Sequence, residues 1–296
     1  MPGSSATSWI VVAGGRTAIV TCGAAACGAP GPVGAAWAGA GARQAAASSP
    51  TATVERTVAD RTFAKFTFFK IDPAWRRLPD EERAAGKREF LAACEDFAHD
   101  RSIRAYSTIG TRADADLLLL TQSPNLDDLH TFHVVLGQSG LAKWAETPYS
   151  YLSMTKKSPY SEEAARPEIC RSDRRYLFIY PMVKQRRWYG LPAEERGRIM
   201  RSHIEVGRRH PEITINTTYS FGLDDQEFVV AFEGDDPGEF LDLVQELRPT
   251  ESSAYTERET PIFTCVAMSV GKALDALDGT ASTAAPVAAG NGNTGI

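Results

Sequence analysis

No acidic residue occurs before Glu55 in this chain of 296 residues. The first 54 positions are dominated by Ala, Gly, Ser and Thr. Such a stretch has too little side chain to bury against the entropy of ordering it. Residues 1–58 are therefore expected to be a disordered tail, with a second low-complexity tail at 279–296. Glycines break the apolar runs "WIVVAGG" and "TAIVTCGAAACGAP", and no basic cluster precedes the first, which argues against an export signal. No apolar run approaches the roughly 20 residues that span a bilayer, so no membrane span is expected. The five cysteines are scattered without a CxxC pair, which excludes a cysteine zinc site or a disulfide framework. Free thiols of this kind suit a reduced, cytoplasmic protein. A net charge of -5 leaves no footprint for nucleic acid or an anionic membrane surface.

Between the tails the chain repeats itself. "WRRLPDEER" begins at Trp75 and "WYGLPAEER" at Trp188, sharing W-x-x-L-P-x-E-E-R at an offset of 113. Each copy follows an apolar strand ("FAKFTFFKI", "RYLFIYPMV") and opens a helix. Each continues through a strand, a Gly and acidic turn ("GTRADAD", "GLDDQEF"), a further strand, a second helix and a last strand. That order is βαββαβ twice, the ferredoxin-like plan. The expected fold class is α+β, with antiparallel sheets in two repeats, 59–165 and 166–278, forming one dimeric α+β barrel-type subunit. Pro79 and Pro192 suit the first turns of their helices, and the acids that follow suit the positive end of the helix dipole.

The second repeat carries an unusual histidine. Ile199, Met200, His203, Ile204 and Gly207 form a helical stripe, while charged residues take the other faces. His203 is either a satisfied core residue or a ligand, and spacing alone leaves both open. Gly207, one turn on, leaves room for a flat partner beside the imidazole. At the offset of 113, His203 corresponds to Phe90, so one half places hydrocarbon where the other places a nitrogen donor.

The segments "GTRADADLLL", "PYSYLS", "YPMVKQRRWY", the helix carrying His203, "GLDDQEFVVAFE" and "ELRPTESSAY" resemble the chlorite dismutase-like haem protein superfamily over about residues 60–280. That superfamily includes chlorite dismutases and peroxide-dependent coproheme decarboxylases. The resemblance implies a haem cofactor, coproheme III or haem b, with its iron on His203. Neutral imidazole suits iron, and an acceptor on the other ring nitrogen tunes its donor strength. It further implies Glu251 as that acceptor and Ser253 beside a propionate. In the decarboxylases the pattern Y-P-M-x-K supplies a tyrosine and a lysine near a propionate. Tyr180 would then become a radical under peroxide and take hydrogen from the propionate β-carbon, and carbon dioxide would leave behind a vinyl group. Lys184 would hold carboxylate charge as a compact cation. Without the family, Tyr180 and Met182 read as strand-core residues and Lys184 as a strand-end charge. Trp188 lines the same cavity or caps its helix, and Tyr151 is a weaker propionate contact.

The pattern departs from chlorite dismutases at one position. Those enzymes carry an arginine over the open haem face. Counting from the G-L-D-D turn places Ile215 there, whereas counting from His203 places Asn216. Neither is a guanidinium that could hold an oxychlorine anion, so poor chlorite turnover is expected. Neither is a base for peroxide, so catalase activity should be feeble. The leading expectation is hydrogen-peroxide-dependent decarboxylation of coproheme III to haem b. The alternatives are chlorite dismutation and a non-catalytic haem carrier or sensor. Longer members of the superfamily form pentameric rings, which implies a homopentamer. His130 and His133 have a metal-compatible i, i+3 spacing but no evident third ligand.

Overall fold

The W-x-x-L-P-x-E-E-R motif builds the same corner twice. In the computed structural model, which describes residues 8–13, 16–21, 61–160 and 166–280, Trp75 and Trp188 are buried plugs. Leu78 N–H donates to the Trp75 carbonyl at 3.1 Å, and Leu191 N–H to that of Trp188 at 3.3 Å. The final arginine folds back on the leucine carbonyl: Arg83 Nη1 donates to Leu78 O at 2.6 Å and Arg196 Nη1 to Leu191 O at 3.1 Å. Trp, Leu and Arg of the repeat thus satisfy or shield backbone groups where a strand turns into a helix. Pro79 and Pro192 stand at the residue before the helix, not within its first turn as expected. The following acids still lie at the positive end of the dipole.

The N-terminal repeat comprises β3 (Phe63–Ile71), α1 (Asp80–Ala98), β4 (Ser102–Ser107), β5 (Leu117–Ser123), α2 (Leu126–Leu136) and β6 (Ala145–Met154). The C-terminal repeat comprises β7 (Tyr176–Lys184), α3 (Arg186–Gly190), α4 (Ala193–Arg208), β8 (Thr214–Tyr219), β9 (Phe228–Gly234), α5 (Pro237–Leu247), β10 (Thr256–Arg258) and β11 (Phe263–Met268). The strands run β4-β5-β3-β6 in one repeat and β8-β9-β7-β11 in the other, the same order in both. Gly110 and Gly222 take φ of 83° and 71° at the matching turns, a conformation that favours glycine. β6 meets β8, and β11 meets β4, so eight antiparallel strands close on themselves. Residues of one parity (Phe66, Phe68, Leu118, Leu120, Leu177, Ile179, Ala231) fill the barrel interior. The opposite parity faces the helices and forms a separate core for each repeat.

Two features depart from the sequence expectations. β1 (Ser8–Ala13) pairs antiparallel with β2 (Arg16–Thr21), a ribbon within a stretch expected to lack structure. A two-stranded ribbon is by itself marginal in water. The other tail positions, 1–7, 14–15, 22–58 and 281–296, lie outside the described residues. A sixth helix, α6 (Val270–Ala276), was not anticipated. It belongs in sequence to the C-terminal repeat, yet Val270, Ala273, Leu274 and Leu277 join the core under α1, and Lys87 Nζ binds Asp275 at 2.9 Å. Helix α6 therefore packs across the expected 165/166 division between the repeats.

Candidate functional site

Helix α4 and the outer face of β8, β9 and β7 enclose the region around His203. Alternation on β8 decides the register: Asn216 points into the barrel, 4% exposed, with its amide donating to Glu233 at 3.1 Å. Ile215 points outward, 42% exposed, and its Cδ1 would lie 3.3 Å from a Cβ placed on Gly207. Of the two residues left open by counting, Ile215 is thus the one that faces α4. At the same helical position the N-terminal repeat has Cys94, fully buried, and Phe90 stands for His203 with its ring 5.8 Å from that of Phe69.

His203 lies part-buried with Nδ1 at 2.9 Å from Thr250 Oγ1. Burial, aided by the charge of Lys184, pushes its pKa down to about 4, so the ring is neutral at pH 7. No hydrogen-bond partner for Nε2 is found among the described residues. Glu251, expected beside this ring, instead binds Arg198 Nη2 at 2.8 Å on the exposed side of α4. Its neighbour Thr250 was missed because a threonine after proline at a helix end reads as a turn residue. Ser253 donates to the Leu247 carbonyl at 2.7 Å and lies 3.2 Å from Thr250 Oγ1.

Lys184 is not the free strand-end charge that the sequence suggests. It is 7% exposed, and Nζ donates to Ser252 O at 2.8 Å, Ser252 Oγ at 3.2 Å and Thr256 Oγ1 at 3.1 Å. Its ammonium lies 5.3 Å from the centre of the Trp188 ring. Burial pushes its pKa down to about 8, against the opposing charge of Glu227. All three N–H groups are committed to the protein, so Lys184 anchors the loop after α5 to the end of β7. Trp188 serves as the apolar floor of that anchor.

Tyr180 and Met182 share the outward face of β7 with Lys184. Burial pushes the Tyr180 phenol up to about 12, with Arg248 opposing. Tyr180 also walls a hollow of about 320 Å³ together with Phe178, Phe240, Val244, Arg248 and Ile262; His203 does not line it. Tyr151 is not part of the arrangement. It packs inside the barrel, with its ring 6.0 Å from Phe68, on the opposite side of the sheet. His133 lies 3.2 Å from Thr67 Oγ1 under α2, and no group of three metal-ligating side chains occurs among the described residues.

The sheet side of the α4 region is incompletely covered. Ile215, Tyr189, Phe221 and Leu223 are 36–48% exposed, and Phe221 packs edge-on to Phe228 at 5.0 Å and to Tyr189 at 6.0 Å. Ile215, uncovered beside Gly207 and one helical turn from a neutral imidazole with a free nitrogen, fits a flat apolar ring bearing one axial ligand.

A family model described as Chlorite dismutase matches residues 81–268. The chain belongs to the chlorite dismutase family. It is 29% identical over 167 residues to the coproheme decarboxylase of Mycolicibacterium smegmatis, covering 56% of this chain and 72% of that one. Its fold is similar to that of chlorite dismutase from Candidatus Nitrospira defluvii, with a TM-score of 0.68 at 21% identity over 73% of this chain and 95% of the other. A protein of Thermus thermophilus described as a novel heme-binding protein superposes with a TM-score of 0.66 at 29% identity, covering 74% and 95%. Among the described residues no helix is long and apolar enough to cross a membrane.

Proposed function

We propose that this protein binds an iron porphyrin through His203 and decarboxylates coproheme III with hydrogen peroxide to give haem b. The observation that carries the reading is a neutral, singly bonded imidazole on a helix that faces a sheet bearing Tyr180. The bound macrocycle would supply iron able to react with peroxide. The chain's own residues hold the ring, shield it from water and position one phenol. Each propionate takes one peroxide: R-CH2-CH2-COO⁻, H2O2 and H⁺ become R-CH=CH2, CO2 and two waters. Tyr180 gives up its hydroxyl hydrogen and takes one from the propionate β-carbon. Lys184, Met182 and Trp188 act behind it, Lys184 by holding the loop that carries Ser253 and Thr250.

Ile215 disfavours chlorite dismutation, since its sec-butyl side chain offers no donor for a developing oxychlorine anion. Assembly as a cytoplasmic homopentamer is part of the same proposal, to be checked by mass measurement of the native particle. The functional test is titration with coproheme followed by peroxide, with mass spectrometry of the recovered porphyrin. Loss of two carboxyl groups per ring supports the proposal. Oxygen release from chlorite would support the dismutase reading instead, and binding without either reaction a carrier or sensor.

A further inference from the structure

The hydroxyl of Thr250 has its hydrogen committed before it meets His203. Thr250 Oγ1 donates to the Leu247 carbonyl at 2.7 Å, at the last turn of α5, while Thr250 N–H donates to the same carbonyl at 3.0 Å. What Thr250 Oγ1 presents to His203 Nδ1, 2.9 Å away, is therefore a lone pair. A lone pair there requires hydrogen on Nδ1 and leaves Nε2 as the ring's free donor of electrons. The loop that carries Thr250 is pinned on both sides. Ser253 Oγ donates to Leu247 O at 2.7 Å, and Lys184 Nζ holds Ser252 by its carbonyl and its hydroxyl.

We propose that Thr250 is the positioning residue of the axial ligand, fixing the tautomer and orientation of His203 through a neutral acceptor rather than a carboxylate. The inference rests on the reading that His203 takes an iron porphyrin. Glu251, one residue along, is directed to Arg198 and leaves the imidazole without an anionic partner. A neutral acceptor draws the Nδ1 hydrogen less strongly, so the ring is a weaker donor than one backed by a carboxylate.

The test begins without porphyrin. In the protein labelled with ¹⁵N-histidine at pH 7.5, His203 should show a protonated Nδ1 and an unprotonated Nε2. Thr250→Val keeps the side-chain shape and removes the acceptor, so the Nε2–H tautomer should appear. In protein loaded with haem b, the same change should weaken affinity about tenfold, lower the iron–histidine stretching frequency and move the reduction potential upward. Thr250→Ser should restore all four readouts. A dominant Nε2–H form in the unchanged protein would overturn the proposal, as would a Thr250→Val protein with unaltered tautomer and potential. So would Glu251→Gln reproducing the effects of Thr250→Val. If the apo tautomer follows Thr250 but no porphyrin binds, the hydrogen bond stands and the proposed function fails.

Discussion

Replacing Tyr180 by Phe removes one oxygen and leaves the ring where it is. Tyr180 is held by apolar contacts, including Phe232 at 5.8 Å between ring centres. The side-chain hydrogen bonds made by β7 among the described residues are those of Lys184. Losing the hydroxyl therefore breaks no protein hydrogen bond, and the folding cost should stay under about 1 kcal/mol. For a domain of this size that is a melting shift of at most roughly 4 °C. Coproheme binding, read by spectral titration, should be unchanged. Decarboxylation should fall by more than about a hundredfold, equivalent to roughly 3 kcal/mol of barrier. Because burial holds the phenol pKa near 12, the group is protonated at neutral pH and must lose its proton as it is oxidised. Product formation in the unchanged protein should accordingly slow in D2O. A Tyr180→Phe protein that releases both carboxyl groups at the normal rate would refute the assignment.

His203→Ala should remove the five-coordinate ferric haem spectrum while the circular dichroism of the apo protein stays the same; retained ligation would reject the axial assignment. The unchanged protein should release little oxygen from chlorite, and Ile215→Arg, which puts a donor on the outward face of β8, should raise that release by about a hundredfold. Phe90→Ala, deleting a fully packed ring under the N-terminal helices, should destabilise the fold by about 3–5 kcal/mol in urea unfolding. The pKa of His133 is pushed down to about 4 by burial and by Lys65. Between that value and the unfolded value near 6.5 the unfolded chain binds the extra proton, so stability is whole above about pH 6.5 and falls towards pH 4, by up to about 3 kcal/mol. His203 adds a like share over the same window, so His133→Gln should reduce the slope by about half when urea midpoints are followed against pH.

The repeat made most of the fold legible. Trp, Leu and Arg recur because each meets a fixed backbone need at a strand-to-helix corner, and such local needs leave a local signature. The matched order of strands and helices then follows. Helix α6 escaped because its cover is non-local: four apolar residues near the C-terminus pack beneath a helix almost 190 residues earlier in the chain. In the site, alternation on β8 could have decided between Ile215 and Asn216, since "TINTTY" carries one parity inward and the other outward. Lys184 and Thr250 could not be read in the same way. The lysine's burial depends on a loop 68 residues away, and the threonine's role depends on which hydroxyl hydrogen a backbone carbonyl has already taken.

The two repeats share a frame but differ in how far each is filled, and the difference lies where a ligand would enter. Under α1, Phe90 and Cys94 complete the core, and α6 adds a further layer over the flank. Under α4 the corresponding positions are His203 and Gly207, and no helix of the described residues plays the part of α6. A buried Phe contributes about 1.5–3 kcal/mol relative to exposure, and the C-terminal repeat forgoes that stabilisation at this position. Exposed Ile215 and Phe221 mark the same deficit on the sheet side. A ring that covered this face would restore the missing apolar contact, and mass action would add stability of about 2.7 kcal/mol at a hundredfold excess over its dissociation constant. Porphyrin should therefore raise the melting temperature of the unchanged protein but not that of Gly207→Leu, whose side chain meets Ile215 and occupies the gap. An equal rise in both would place the ligand elsewhere and detach the asymmetry of the repeats from function.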